Sequence, residues 1–247
     1  MRLMPLHPTR AIRVLVILAI VIVAIFASVQ VFNYSFRVQA VSTNVVISEF
    51  RVRGPQGGND EFIELYNLSG APVAIGGWNI RGSNNTGGVS IRATITAGTI
   101  IQPGCRYLLT NAATGGYSGA VPGNQTYTVG ITDDGGIALT LPDATIVDAV
   151  GMSNGSAYKE GTVLASLGST TASNLNRGYE RKPGGAAGSG TDTDNNANDF
   201  QLITPSDPQN ATTGCAAPSP TPTPSPSPTP TPSPTPTPGV PGSVVIS

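Results

Sequence analysis

The chain has 247 residues, with 13 Lys or Arg, 14 Asp or Glu and a single histidine, for a formal net charge of −1. The charges are unevenly placed: beyond residue 40 stand nine Lys or Arg against all fourteen acids, a formal −5, which disfavours a general nucleic-acid binder because that role needs a basic balance. Gly, Thr, Asn, Val and Ile dominate the middle of the chain and no apolar 3.6-residue period runs long enough for a substantial helix, so a helical fold is excluded and an all-β reading follows.

In chain order, Arg2, Arg10 and Arg13 precede an apolar run at residues 14–32 that is broken only by Ser28 and Gln30. Such a run approaches the roughly 20 residues that span a bilayer as a helix. Val38-Gln39-Ala40 also offers small or modest residues where a signal peptidase reads, so residues 1–40 are either a signal peptide cleaved after Ala40 or an uncleaved membrane anchor. In both cases the positive residues stay inside and the rest of the chain is expected outside, at the cell surface or secreted.

One globular unit is expected over residues 41–213. Strand candidates are residues 45–52, 61–67, 78–82, 90–95, 105–110, 136–141, 145–150 and 200–203, each rich in β-formers and flanked by turn residues. Leu141-Pro142-Asp143-Ala144-Thr145 reads as a tight hairpin, Gln102-Pro103-Gly104 as a turn before a strand, and Asp133-Asp134-Gly135-Gly136 likewise. Eight short strands predict a β-sandwich, monomeric and folding alone. Alternation places Val46, Phe50 and Val52 on the inner face of the first strand, Ile63 and Leu65 on that of the second, and assigns the lone Trp78 to the core.

Residues 214–241 form a Pro/Ser/Thr-rich linker. Within it, residues 218–238 alternate Pro with Ser or Thr, a pattern that favours extended polyproline II, and at about 3.1 Å per residue would reach roughly 65 Å. The end of the sequence, Val244-Val245-Ile246-Ser247, repeats Val45-Val46-Ile47-Ser48, so residues 242–247 read as the start of a second repeat, against the plainer reading of a short apolar tail.

Several motifs carry a family resemblance. Val45-Val46-Ile47-Ser48-Glu49-Phe50, Asn59-Asp60-Glu61-Phe62-Ile63-Glu64-Leu65-Tyr66-Asn67 and Gly76-Gly77-Trp78 resemble the opening of lamin tail domains. Pro103-Gly104 before Tyr107-Leu108-Leu109, Asp148-Ala149-Val150-Gly151, Glu180-Arg181-Lys182-Pro183, and Asn198-Asp199-Phe200 leading to Thr204-Pro205-Ser206 resemble their later parts. The resemblance implies an immunoglobulin-like β-sandwich of the kind found in nuclear lamins and in exported bacterial proteins, there as an accessory or interaction module. No coiled-coil rod precedes the module here, so filament assembly does not carry over.

The chemistry argues against catalysis. The one histidine, His7, lies on the cytoplasmic side of the apolar run, which leaves the exported part without a Ser-His-Asp or Cys-His system. Two cysteines and no outside histidine exclude an ordinary zinc site, and residues 54–60 lack the Gly-Lys-Ser/Thr ending of a phosphate loop. Glu64 is expected on the outward face with Arg51 and Arg53 as cross-strand partners, the catalytic-carboxylate reading being the weaker one. Asp192, Asp194, Asn196 and Asn198 put oxygens at alternating positions, open to two readings: a solvated Asx-turn loop, or calcium ligation, although Ala197 and Ile203 stand where an EF-hand loop has Gly and Glu. The sequons at Asn67, Asn84, Asn124, Asn154 and Asn210 read as chance in so Asn/Ser/Thr-rich a chain. From the even cysteine count and the family resemblance, Cys105 and Cys215 are expected to form a disulfide, with two independent thiols as the alternative.

The function expected is therefore a non-catalytic binding or scaffolding module of lamin-tail type whose partner is a protein or envelope polysaccharide, a monomeric unit in a multi-module chain. Its alternative is an accessory domain of a longer exported hydrolase.

Overall fold

A computed structural model describes residues 44–213 and Cys215. The leader or membrane segment within residues 1–40, most of the linker and the repeat at residues 242–247 lie outside the described residues. Among the described residues no helix is long and apolar enough to cross a membrane.

Among the described residues twelve strands follow one another: β1 (Val45–Arg51), β2 (Phe62–Asn67), β3 (Val73–Ala74), β4 (Asn79–Ser83), β5 (Val89–Thr94), β6 (Ile100–Ile101), β7 (Arg106–Asn111), β8 (Gln125–Tyr127), β9 (Gly136–Thr140), β10 (Ile146–Gly151), β11 (Gly178–Arg181) and β12 (Phe200–Ile203). One α-helical turn, α1 (Asn196–Asp199), precedes β12. A six-stranded sheet runs β12-β11-β1-β2-β7-β8, a four-stranded sheet runs β10-β9-β4-β5, and β3 pairs with β6. Only β7 and β8 pair in parallel; the other described pairs are antiparallel.

The two larger sheets share one core, as in a β-sandwich. Phe50, Ile63, Leu65, Tyr107, Leu109 and Tyr179 from one sheet meet Ile80, Ala93, Ile137, Leu139 and Val150 from the other. Phe50, Ile63 and Leu65 are fully buried, and each such side chain stabilises the fold by about 1.5–3 kcal/mol. Phe50 sits 5.8 Å from the Tyr179 ring and 5.7 Å from Phe200, edge-on to the latter, so β1, β11 and β12 are locked from inside. Trp78 is only half-buried and packs against the edge of this core.

All eight expected strands are present, with ends moved by a residue or two. The 141–145 hairpin closes as read, Leu141 N–H donating to Thr145 O at 2.8 Å, and Cys105 N–H closes the turn onto Gln102 O at 3.0 Å. The inward set of β1 differs from expectation. The register with β2 shifts between Ile47 and Glu49, a bulge that inserts one extra residue and switches the parity of the strand. Val45 and Ile47 therefore point inward before the bulge, and Phe50 and Val52 after it. Val46 is fully buried but lies outside the apolar core, covered on the other face of the sheet.

That other face is not a solvated one. Glu49, Arg51, Phe62, Glu64, Arg106 and Leu108 on it are all buried, overlaid by the loop after β7, by residues 183–189 and by a strap at residues 204–213. A polar layer thus lies between the sheet and its cover, and the site is built in it.

Candidate functional site

Arg51 and Asp60, at the end of β1 and just before β2, form an ion pair that is 2% and 0% exposed. Arg51 Nε also donates to Asp60 O at 2.9 Å, while its Nη1 donates to Asn176 Oδ1 at 2.9 Å and to Ser206 Oγ at 3.2 Å. The Asp60 carboxylate accepts from Gln56 N–H at 3.0 Å, Ser118 N–H at 2.9 Å and Ser118 Oγ at 2.6 Å. One buried pair thereby ties together four segments distant in sequence: the β1–β2 loop, the loop after β7, the segment before β11 and the strap. Only glycine fits at position 54, where a Cβ would lie 2.6 Å from Arg51 Nε and 2.7 Å from the Asp60 carboxyl. The Arg51 guanidinium lies 5.3 and 5.4 Å from the centroids of the Phe62 and Tyr117 rings, which meet each other edge-on at 5.7 Å.

Above this pair the four segments enclose a groove of about 520 Å³, whose walls include Pro55, Gln56, Tyr117, Asn176, Pro205 and Asp207. That lies within the roughly 300–1,000 Å³ of small-ligand sites. No histidine, cysteine, lysine or glutamate lines it.

Next to the groove, register sets three carboxyls in a row, Glu64 on β2, Glu49 on β1 and Glu180 on β11. The strap fastens onto them: Asp207 N–H donates to Glu49 at 3.0 Å and Gln209 N–H to Glu64 at 2.5 Å, while Gly185 N–H donates to Glu180 at 2.5 Å. Burial, with the neighbouring Glu64 adding to it, pushes Glu49 up to about 9. Burial also lifts Glu64 to about 7, outweighing the pull of the Ser48 hydroxyl and of Arg106 at 2.8 Å. The expected partners of Glu64 are thus corrected: Arg51 binds Asp60, Arg53 binds Asp133 at 2.8 Å, and Glu64 takes Arg106 from β7 instead. The bulge places Glu49 and Arg51 on the covered face, and the cover makes this pairing a buried one rather than a surface one. Glu61 is likewise held, accepting from Asn111 Nδ2 and Ile131 N–H at 2.8 Å each, with burial lifting it to about 7.

A second buried centre joins the sheets. Arg181 of β11 donates to both Asp148 oxygens at 2.8 Å, to Ile47 O at 2.9 Å and to Thr191 O at 3.0 Å, and also meets Asp192 and Asp199. Oxygens of Asp148, Glu160 and Asp192 lie within 4.8 Å of one another, a grouping that a cation could share, but the Arg181 guanidinium supplies the positive charge there.

The alternating oxygens of residues 192–198 face different ways. The Asn196 side chain is fully buried: its oxygen accepts from Gly151 N–H and Glu160 N–H at 2.9 Å each, and its amide donates to Ala149 O at 2.9 Å, sealing the free edge of β10. Asp192 accepts from Arg181 at 3.4 Å, Asp194 sits in a left-handed turn at φ 53°, and the carbonyl of Asn198 accepts from Lys182 Nζ at 2.6 Å. Asn196→Ala is expected to cost about 2–4 kcal/mol, because buried donors left unpaired cost about 1–3 kcal/mol each, and millimolar calcium is expected to leave the melting temperature unchanged. A calcium-induced rise that EDTA reverses would restore the ligand reading. Cys105, at the head of β7, is bonded to Cys215, and no described cysteine is free.

Fold and site together define an all-β domain with a polar layer holding a preformed groove at one end. The Lamin Tail Domain family matches residues 38–154, which supports the resemblance of that part of the chain to the family. The match stops short of β11, β12 and the strap, which complete the six-stranded sheet and one wall of the groove. No curated protein matches the chain.

Proposed function

We propose that the domain is a non-catalytic binding and scaffolding module that works outside the cytoplasmic membrane. One observation carries the reading: the Arg51–Asp60 pair braces four separate segments around a groove lined by no histidine, cysteine or lysine. Such bracing pre-organises a recognition surface, since loops already fixed lose little freedom when a partner binds. The carboxyls whose proton affinity is most raised, Glu49, Glu61, Glu64 and Glu160, are buried under structural partners and away from the groove walls. The apolar run at residues 14–32 and the Cys105–Cys215 bond support a location outside the membrane, where disulfides persist.

A panel of phosphoester, glycoside and peptide substrates is expected to remain unturned by the chain. Turnover that Glu61→Gln or Glu64→Gln abolishes would overturn the non-catalytic reading.

A further inference from the structure

The polar groups of the groove divide into engaged and unengaged ones. Every guanidinium nitrogen of Arg51 is committed, Nε and Nη2 to Asp60 and Nη1 to Asn176 and Ser206. Arg51 is the only cation among the lining residues, so no uncommitted positive charge is left there for a phosphate, sulfate or uronate. The exposed Asp207 carboxylate repels one instead. Asn176 accepts twice through its oxygen, from Arg51 and from Ser206 at 2.7 Å, which leaves its amide nitrogen unpartnered among the described residues. The Gln56 side-chain amide and the Asp207 carboxylate are likewise unpartnered, and the Tyr117 hydroxyl is the buried unpaired polar atom of the lining.

What faces the groove is therefore a set of planar amides and one carboxylate, able to donate and accept side by side, set among the uncharged surfaces of Pro55, Pro205, Pro208, Val121 and the Tyr117 ring. Vicinal hydroxyls on a ring whose C–H faces pack on apolar walls match this set. A proline-rich peptide matches it less well, because polyproline docking uses several aromatic ridges and Tyr117 is the lone aromatic here. We propose that the groove between the β1–β2 loop, the loop after β7 and the strap binds a neutral saccharide, with Gln56, Asn176 and Asp207 hydrogen-bonding its hydroxyls. This deepens the binding-module reading and rests on it.

The test is the purified full chain on a printed array of neutral and acidic glycans, repeated with the Gln56→Ala/Asp207→Asn double variant and with a proline-rich peptide as a separate probe. Both substituted side chains are exposed and outside the Arg51–Asp60 network, so an unchanged melting temperature checks that the variant is folded. The expected result is signal confined to neutral glycans, falling at least tenfold in the double variant. A silent array, signal only from acidic glycans, binding of the peptide alone, or neutral-glycan binding indifferent to the double variant would each overturn the proposal. None of these outcomes touches the non-catalytic reading, which the substrate panel decides separately.

Discussion

Raising the pH from about 5 to about 9 is expected to lower the unfolding free energy of the domain by about 2–4 kcal/mol. The cause is the carboxyl row under the strap. Glu49 has a folded-state value near 9 against an ordinary 4.5, because it is buried between Glu64 and Glu180 with Asp207 also facing it. The folded protein keeps a proton that the unfolded chain releases, so this contribution is complete below about 4.5 and is lost progressively as the pH climbs to about 9. At about 1.4 kcal/mol per unit the ceiling for Glu49 alone is on the order of 6 kcal/mol, and relaxation and water entry reduce it. Glu61 and Glu64, both near 7, act with the same sign and are exhausted around neutrality, while Glu160, near 9, adds to the alkaline loss. Glu49→Gln keeps an acceptor for the Asp207 N–H but cannot ionise, so the variant should be at least as stable as the parent at pH about 9 and show a shallower pH slope. Denaturant titrations at three pH values measure this. Stability that is flat or rising across the range, or a Gln variant with the parent's slope, would refute the assignment.

Arg181→Met is expected to be the most damaging single substitution in the fold. Its guanidinium answers Asp148 and Asp199, both 0% exposed, and Asp192, and lies 4.6 Å from the Phe200 ring. Methionine fills much of the volume yet leaves the carboxyls buried without a counter-charge, for which losses of about 3–5 kcal/mol are typical. For a domain of this size that is a fall of roughly 10–15 °C in melting temperature. The deficit should shrink as the pH is lowered, because carboxyls that take up protons no longer need the cation. Arg181→Lys should fall between, since one ammonium cannot serve Ile47 O, Thr191 O and both Asp148 oxygens together. A melting temperature within about 3 °C of the parent for the Met variant would show that the surroundings rearrange to do without the charge.

The positions legible in the sequence are those where apolar alternation and turn chemistry agree. Phe50, Ile63 and Leu65 are in the core, and the 133–136 and 141–145 segments turn where Asp, Gly and Pro demand it. The bulge at Ser48 has no such signal, and without it strict period two puts Val46 inside. β3, β6 and β8 are two or three residues long, too short for any periodicity, and β11 carries Glu180 and Arg181 where a strand is expected to be apolar. The charges of β1, β2 and β11 look like a solvated face because the segments that cover them, residues 183–189 and 204–213, lie more than a hundred residues away from the first two strands. The groove depends on the same distant cover. Asp60 was visible as an acid in a motif, but its bond to Ser118 and the meeting of Arg51 with Asn176 and Ser206 are long-range facts that no local pattern announces.

The bond between Cys105 and Cys215 also determines how the domain would fail under mechanical load. Tension entering from the C-terminal side at Cys215 passes across the bridge to the head of β7 and bypasses the strap and β12. β7 is gripped on both flanks, by β2 antiparallel and by β8 parallel, so a pull along it strains many ladder bonds at once. With the bridge reduced, the same tension would lift the strap from Glu64 and Glu49 first and then unzip β12 from β11 one bond at a time. The thiol state of two residues thus selects between shearing and peeling.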